Sequence, residues 1–319
     1  MMQLTQTKKT FAIISWLNVL VGAVMIGWSI FVGPLSIPFQ VGYFSAMLLL
    51  TGIPHGGLDH IIAKTTAIGN HQNFNLTIFL GRYLIAIILY SICWFFFPSF
   101  SLLFFIIISA WHFGETDIAS EQKKIILSFL RFTWGFFVLM LILLMHPLET
   151  TEVLRRISID NSHVMDVWQF CKTYSNHILL SLGSINALLI GASMATANLR
   201  FTFYRIANLL IVLVMSSYLP LLPSFALYFG GWHAVRSFEL IFEYLSMSKN
   251  ITGKNPLQMW LKSLPMSGLA AITFFIATLL WNRSSIDWDP LPIVFIFLSI
   301  ITLPHLDVMD QMIRKEKVI

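Results

Sequence analysis

Nine histidines are scattered through 319 residues, and five of them stand inside or beside the most apolar runs. His55 and His60 lie in GIPHGGLDH, His112 in SAWHFGETD, His233 in GGWHAVRS and His305 in LPHLDVMD. Imidazole is the commonest metal ligand among side chains and a ready proton carrier near neutral pH. An ionisable group in a long apolar run is costly, so each of these five marks a functional position. The other four, His71, His146, His163 and His177, fall in loops or at the ends of apolar runs, where water can solvate them.

The elements that must position the five are membrane helices. Hydrophobic residues make up 57% of the chain and charged residues 11%, and the mean hydropathy is +0.77. A soluble domain carries about 25% charged residues, so this composition needs lipid as solvent. That excludes most soluble enzymes, nucleic-acid binders and disordered regulators. The net charge of +5 and pI near 9.2 then read as cytoplasmic loop charge, with no nucleic-acid partner. Cys93 and Cys171 have no spaced partners, which leaves no disulfide framework or thiolate metal site.

Runs of about 20 apolar residues predict an all-α polytopic bundle. Ten spans are expected, at 11–33, 41–62, 76–97, 100–118, 125–146, 177–197, 203–221, 224–245, 265–281 and 290–308. An eight-helix alternative drops 100–118 and 224–245, which carry polar residues at their far ends. With ten spans and both termini inside, the outer segments hold only Arg155, Arg156, Lys172 and Arg283, and Arg236 lies within a span. The inner segments take Lys8, Lys9, Lys64, Arg82, Lys123, Lys124, Arg131, Arg200, Arg205, Lys249, Lys254, Lys262, Arg314, Lys315 and Lys317. That bias fits the positive-inside rule. The 147–176 stretch is the one long external loop, polar and mixed in charge, and suits a short surface helix. A single membrane domain covers 1–319, with no internal repeat.

This topology puts all five histidines at one depth, on the cytoplasmic side of the midplane, in spans that run the same way. Imidazoles from separate helices meeting at one depth are how a bundle builds a metal site. Such a site suits Zn, Fe, Cu or Ni, and Fe(II) with an open position supports O₂ chemistry. Asp59, Glu115 and Asp117 lie close enough in sequence to hold the histidines' other N–H groups. His55 and His60 are about 140° apart on an ideal helix, so both reach one metal only if the Gly56-Gly57 step unwinds. Trp111, Phe113 and Trp232 flank the histidines and are candidates to line a pocket.

These motifs resemble a known family. PHGGLDH at 54–60, WHFGETD at 111–117, the Trp232-His233 pair and PH at 304–305 are similar to the Brp/Blh family of integral membrane proteins. The resemblance covers most of the chain and is most specific in the first two motifs. It implies cleavage of β-carotene by iron and O₂ at the central 15,15′ double bond, giving two retinal molecules that supply a rhodopsin. It further implies that His55, His112 and His233 are metal ligands for Fe(II), and that the protein sits in a bacterial or archaeal cell membrane. His233 matches the first histidine of the family's WHxxxH motif, whereas the second position holds Ser237. Serine is a poor Fe(II) ligand, so the site has three histidines, or His60 or His305 completes it. A family member with altered or lost activity that binds retinal or carotenoid, or a membrane transporter with broken helices, remains the alternative.

Overall fold

The computed structural model describes residues 2–120, 122, 124–199, 203–247, 255–283 and 290–314. Lys123, Arg200, Lys249, Lys254, Lys315 and Lys317 of the charge count lie outside the described residues. Every regular element among the described residues is helical. In order they are α1 (Met2–Phe31), α2 (Ile37–Met47), α3 (Ile53–Gly56), α4 (Asp59–Gly69), α5 (Leu76–Phe96), α6 (Pro98–Asp117) and α7 (Ile125–Met145). Next come α8 (Pro147–Ile157), α9 (Ser162–Thr173), α10 (Ser175–Ala197) and α11 (Phe203–Ser216). The last are α12 (Leu221–Tyr228), α13 (Val235–Met247), α14 (Pro256–Arg283) and α15 (Pro290–Arg314). A π-helical turn, Leu48–Gly52, joins α2 to α3, and a second, Phe229–Ala234, joins α12 to α13.

Eight stretches are long and apolar enough to cross a membrane: Lys9–Phe31, Ile37–Gly69, Leu76–Phe96, Pro98–Asp117, Ile125–Met145, Ser175–Ala197, Pro256–Leu279 and Ile293–Ile313. The chain is thus a polytopic helix bundle with the lower of the two expected counts, but by a different route. The 100–118 span is retained, because α6 qualifies in full. The 203–221 span yields only the short helix α11. The 224–245 span becomes the interrupted run α12 to α13, which fails on composition for a physical reason. Leu227, Tyr228, His233 and Ile241 in it are fully buried. A helix walled in by protein needs no lipid-soluble face.

Burial sorts the remaining helices. The most apolar window of α6 is 56% buried, whereas that of α5 is 6%. Leu84, Ile85, Ile88 and Leu89 of α5 and Leu269, Ile272, Phe275 and Ile276 of α14 face outward, so these helices form the rim. α6 and α7 form the tightest pair. A Cβ on Gly114 would stand 1.6 Å from the Arg131 carbonyl oxygen, and one on Gly135 would stand 1.8 Å from that of Ala110. The two backbones touch where His112 must be aimed.

The 147–176 stretch forms α8 and α9, tied together by Trp168 Nε1 donating to Thr151 Oγ1 at 2.7 Å. Glu152 of α8 pairs with Arg155 and Arg156. His71, His163 and His177 are exposed, as expected. His146 is not: it is buried, with its ring nitrogens 2.6 Å from the Ile142 oxygen and 2.5 Å from the Leu219 oxygen. It stitches the end of α7 to the approach of α12.

Candidate metal centre

Local backbone breaks aim the histidines. Pro54 has no N–H, so it cannot donate to the Leu50 carbonyl one turn back. That oxygen accepts from Trp260 Nε1 instead, at 2.7 Å. The π-helical turn before it shifts the face of the helix and points His55 inward; such turns recur at functional sites. The second π-helical turn carries His233 itself. Gly231 in that turn makes room for a neighbour, since a Cβ there would meet Asn18 Oδ1 at 1.9 Å. Asn18 Nδ2 in turn donates to the Leu227 carbonyl at 3.1 Å, which fixes α1 on the end of α12 that leads into the turn.

Four histidines converge. His55, His112, His233 and His305 are each at most 5% exposed. One ring nitrogen from each of His55, His112 and His305 lies within 4.8 Å of the others. His233 joins through His112, with the two Nε2 atoms 3.1 Å apart. Its ring centroid lies 4.7 Å from that of His112 and 5.7 Å from that of His55. The rings come from α3, α6, the second π-helical turn and α15, which are four separate segments.

The hydrogen bonds around the cluster leave nitrogens available. His305 Nδ1 donates to the Asp59 carboxylate at 2.8 and 3.0 Å, which turns its Nε2 inward. Among the described residues that Nε2 is buried without a hydrogen-bond partner; Nδ1 of His112 and Nδ1 of His233 are unpartnered too, but point away from the facing Nε2 pair. His55 Nδ1 lies 3.3 Å from the Thr51 carbonyl oxygen, leaving Nε2 for the cluster. Buried polar atoms are nearly always satisfied, so His305 Nε2 turned into the cluster and the facing Nε2 atoms of His112 and His233 fit a shared cation. The His112–His233 separation fits as well. Two imidazoles each about 2.1 Å from one metal stand about 3.0–3.4 Å apart. An all-imidazole, neutral donor set without thiolate suits iron, zinc or copper.

Among the residues expected to support the site, Asp59 does so directly, holding His305 while accepting the Tyr83 hydroxyl at 3.0 Å. Glu115 is buried beside the cluster on α6. Asp117 hydrogen-bonds to no histidine among the described residues. It accepts from Trp134 Nε1, Trp232 Nε1 and the Tyr228 hydroxyl at 2.9–3.0 Å, and so anchors the residues preceding His233. His60 does not join the cluster. The chain breaks at Gly57-Leu58 before α4 begins, and the break swings Asp59 toward His305 while His60 turns away. Ser237 is fully buried on α13, and its hydroxyl has no partner among the described residues. The fourth imidazole comes from α15.

A cavity of about 390 Å³ adjoins the histidines. His55, His112 and His305 form part of its wall, with Asp59, His60 and Tyr83 nearby, and most of the rest is aliphatic or aromatic. Phe113 lines it and packs 4.7 Å from the His233 ring. Trp111 and Trp232 are not in its wall: Trp111 is half-buried elsewhere, and Trp232 is drawn to Asp117 by its own N–H. Tyr83 and Phe229 line the cavity and were not singled out in the sequence. Tyr83 sits on a rim helix far from any histidine motif. Phe229 could have been suspected from its place four residues before His233.

Comparison with known proteins agrees with this geometry. The family model described as β-carotene 15,15′-dioxygenase matches residues 46–313, which include all four histidines. A β-carotene 15,15′-dioxygenase from uncultured marine bacterium 66A03 is 29% identical over 276 residues, covering 84% of this chain and 92% of that relative. No solved structure matches the chain.

Proposed function

The chain belongs to the β-carotene 15,15′-dioxygenase family, and on that footing we propose that it cleaves β-carotene at the central double bond with O₂, giving two molecules of retinal. One C=C bond is exchanged for two C=O bonds. The observation that carries the reading is a group of four buried imidazoles, three of which, His55, His112 and His305, stand in the wall of a cavity otherwise suited to a hydrocarbon.

His55, His112, His233 and His305 are the residues to hold Fe(II). When bound, Fe(II) would supply the activation of O₂ beside the polyene. The protein's own groups do the rest. Asp59 keeps the proton of His305 on Nδ1 and its Nε2 lone pair inward. The Thr51 carbonyl does the same for His55. Phe113 and Phe229 cover the ring of His233 and exclude water from the reacting bond. Asp117 holds Trp232 and Tyr228, and through them the turn that presents His233.

Substrate and product are both apolar, so lipid is their reservoir. The surplus of Lys and Arg in alternate loops supports cytoplasmic termini, and the membrane of the proposal is a bacterial or archaeal cell membrane. Retinal released there is within reach of a retinal-binding rhodopsin. The test uses purified protein in detergent, loaded with Fe(II) and given β-carotene with and without O₂. Two retinal per carotene, formed only with O₂, is the expected result. Iron bound at one per chain with no retinal formed overturns the reading.

A further inference from the structure

The cavity is elongated, and the histidines are not at its middle. α5 lines it with Phe79, Tyr83, Ile87 and Ser91, which recur on one helix face. This wall covers about 18 Å at 1.5 Å per residue. α14 lines it with Met266, Ala270, Thr273 and Ala277, a wall of about 16 Å on the same rise.

Contacts fix which end is which. Tyr83 reaches Asp59, which holds His305. Ser267 of α14 lies beside Gly57, where a Cβ would meet its Oγ at 2.4 Å. Tyr83, Ser267 and His305 are therefore level. At the other end, Trp94 of α5 donates to Ser299 of α15, and Phe274 of α14 packs on Phe297. α5 and α14 thus run against α15. Beyond the histidines the cavity continues for more than two turns of α5, to Ser91, and on α14 to Ala277. On the near side α5 adds Phe79 and Leu80, about one turn, α14 adds Met266 alone, and His60 of α4 stands beside them. Leu84 and Leu269, which belong to both the cavity wall and the outer surface, are 56% and 58% exposed. The cavity therefore borders the lipid between α5 and α14.

We infer that the long arm of this cavity is a measuring groove that holds one half of a linear, ring-capped polyene and so sets which double bond meets the histidines. The inference rests on the carotene-cleaving reading and names the residues that select the bond. The polyene slides in from the lipid between α5 and α14. One half lies along Ile87, Ser91, Thr273 and Ala277 toward Phe297. The short near side has no room for an equal half, so the second half stays at the opening. The far end is lined by small residues, Ser91 and Ala277, which admit a bulky ring.

Filling the far end tests this. Ala277→Phe and Ser91→Phe are made separately, on two different helices. Each is assayed with β-carotene and with an apocarotenal that keeps one full arm and has the other shortened. The measured quantities are iron per chain and the mass of the aldehydes released. Expected is unchanged iron, at least tenfold less retinal from β-carotene, and retained cleavage of the apocarotenal with its short arm in the groove. Equal loss on both substrates, or retinal undiminished in both variants, overturns the groove. A wild type that cleaves neither substrate overturns instead the reading on which the groove rests.

Discussion

His305 Nδ1 lies 2.8 Å from Asp59 Oδ1, although 246 residues separate them. The carboxylate fixes the tautomer of a histidine whose other nitrogen is buried in the cluster without a partner. Asp59→Asn removes the charge that holds that proton in place. A carboxylate behind a ligating imidazole is worth about 10–100-fold in metal affinity. Iron per chain, measured by titration of purified protein, is expected to need that much more free metal. An unchanged affinity would mean that Asp59 only packs.

His55→Ala, His112→Ala, His233→Ala and His305→Ala are each expected to abolish retinal formation and to lower iron content. His163→Ala, on the exposed face of α9, leaves both unchanged. His60→Ala retains at least a third of the activity, because His60 stands apart from the cluster. Retinal assays on membranes normalised for protein decide each case. An active His305→Ala variant would restore the three-histidine alternative.

Ser237 stands at the position of the family's fourth histidine, fully buried with an unpartnered hydroxyl. With His305 already in the cluster, Ser237→His is expected to leave iron at one per chain and to change turnover by less than about threefold, well under the 1.4 kcal/mol that a tenfold effect represents. A tenfold rise in turnover would show that the native site lacks a ligand.

Gly114 and Gly135 set the α6–α7 crossing, and either changed to alanine forces backbones apart. Overpacking costs about 1–3 kcal/mol or more. Gly114→Ala is expected to lower the thermal midpoint of the purified protein and to reduce iron binding, because α6 carries His112. Gly183, whose nearest neighbour would be 3.9 Å from an added Cβ, tolerates alanine without loss and serves as the control.

That histidines from separate helices converge was legible because a charged fraction of 11% makes each polar exception conspicuous. The choice between His60 and His305 was not. It depends on how α15 packs against α4 after the chain turns at Gly57, which no local pattern encodes. Likewise Phe113, Trp111 and Trp232 are equivalent by sequence proximity. Asp117 separates them by drawing the Trp232 N–H away from the cavity. The 224–245 run reads as a candidate span because its length is right, although polar residues stand at its far end. Its near-complete burial is a property of the neighbours that wrap it. Tyr83 could not be found at all, since its role arises only where α5 crosses Asp59.

The most direct measurement expresses the wild-type chain and His305→Ala side by side in bacteria that accumulate β-carotene, with iron content measured on the recovered protein. The predicted result is loss of the orange colour with retinal appearing for wild type, and neither for the variant. Wild-type protein that is present and iron-loaded, in cells that stay orange and hold no retinal, would contradict it.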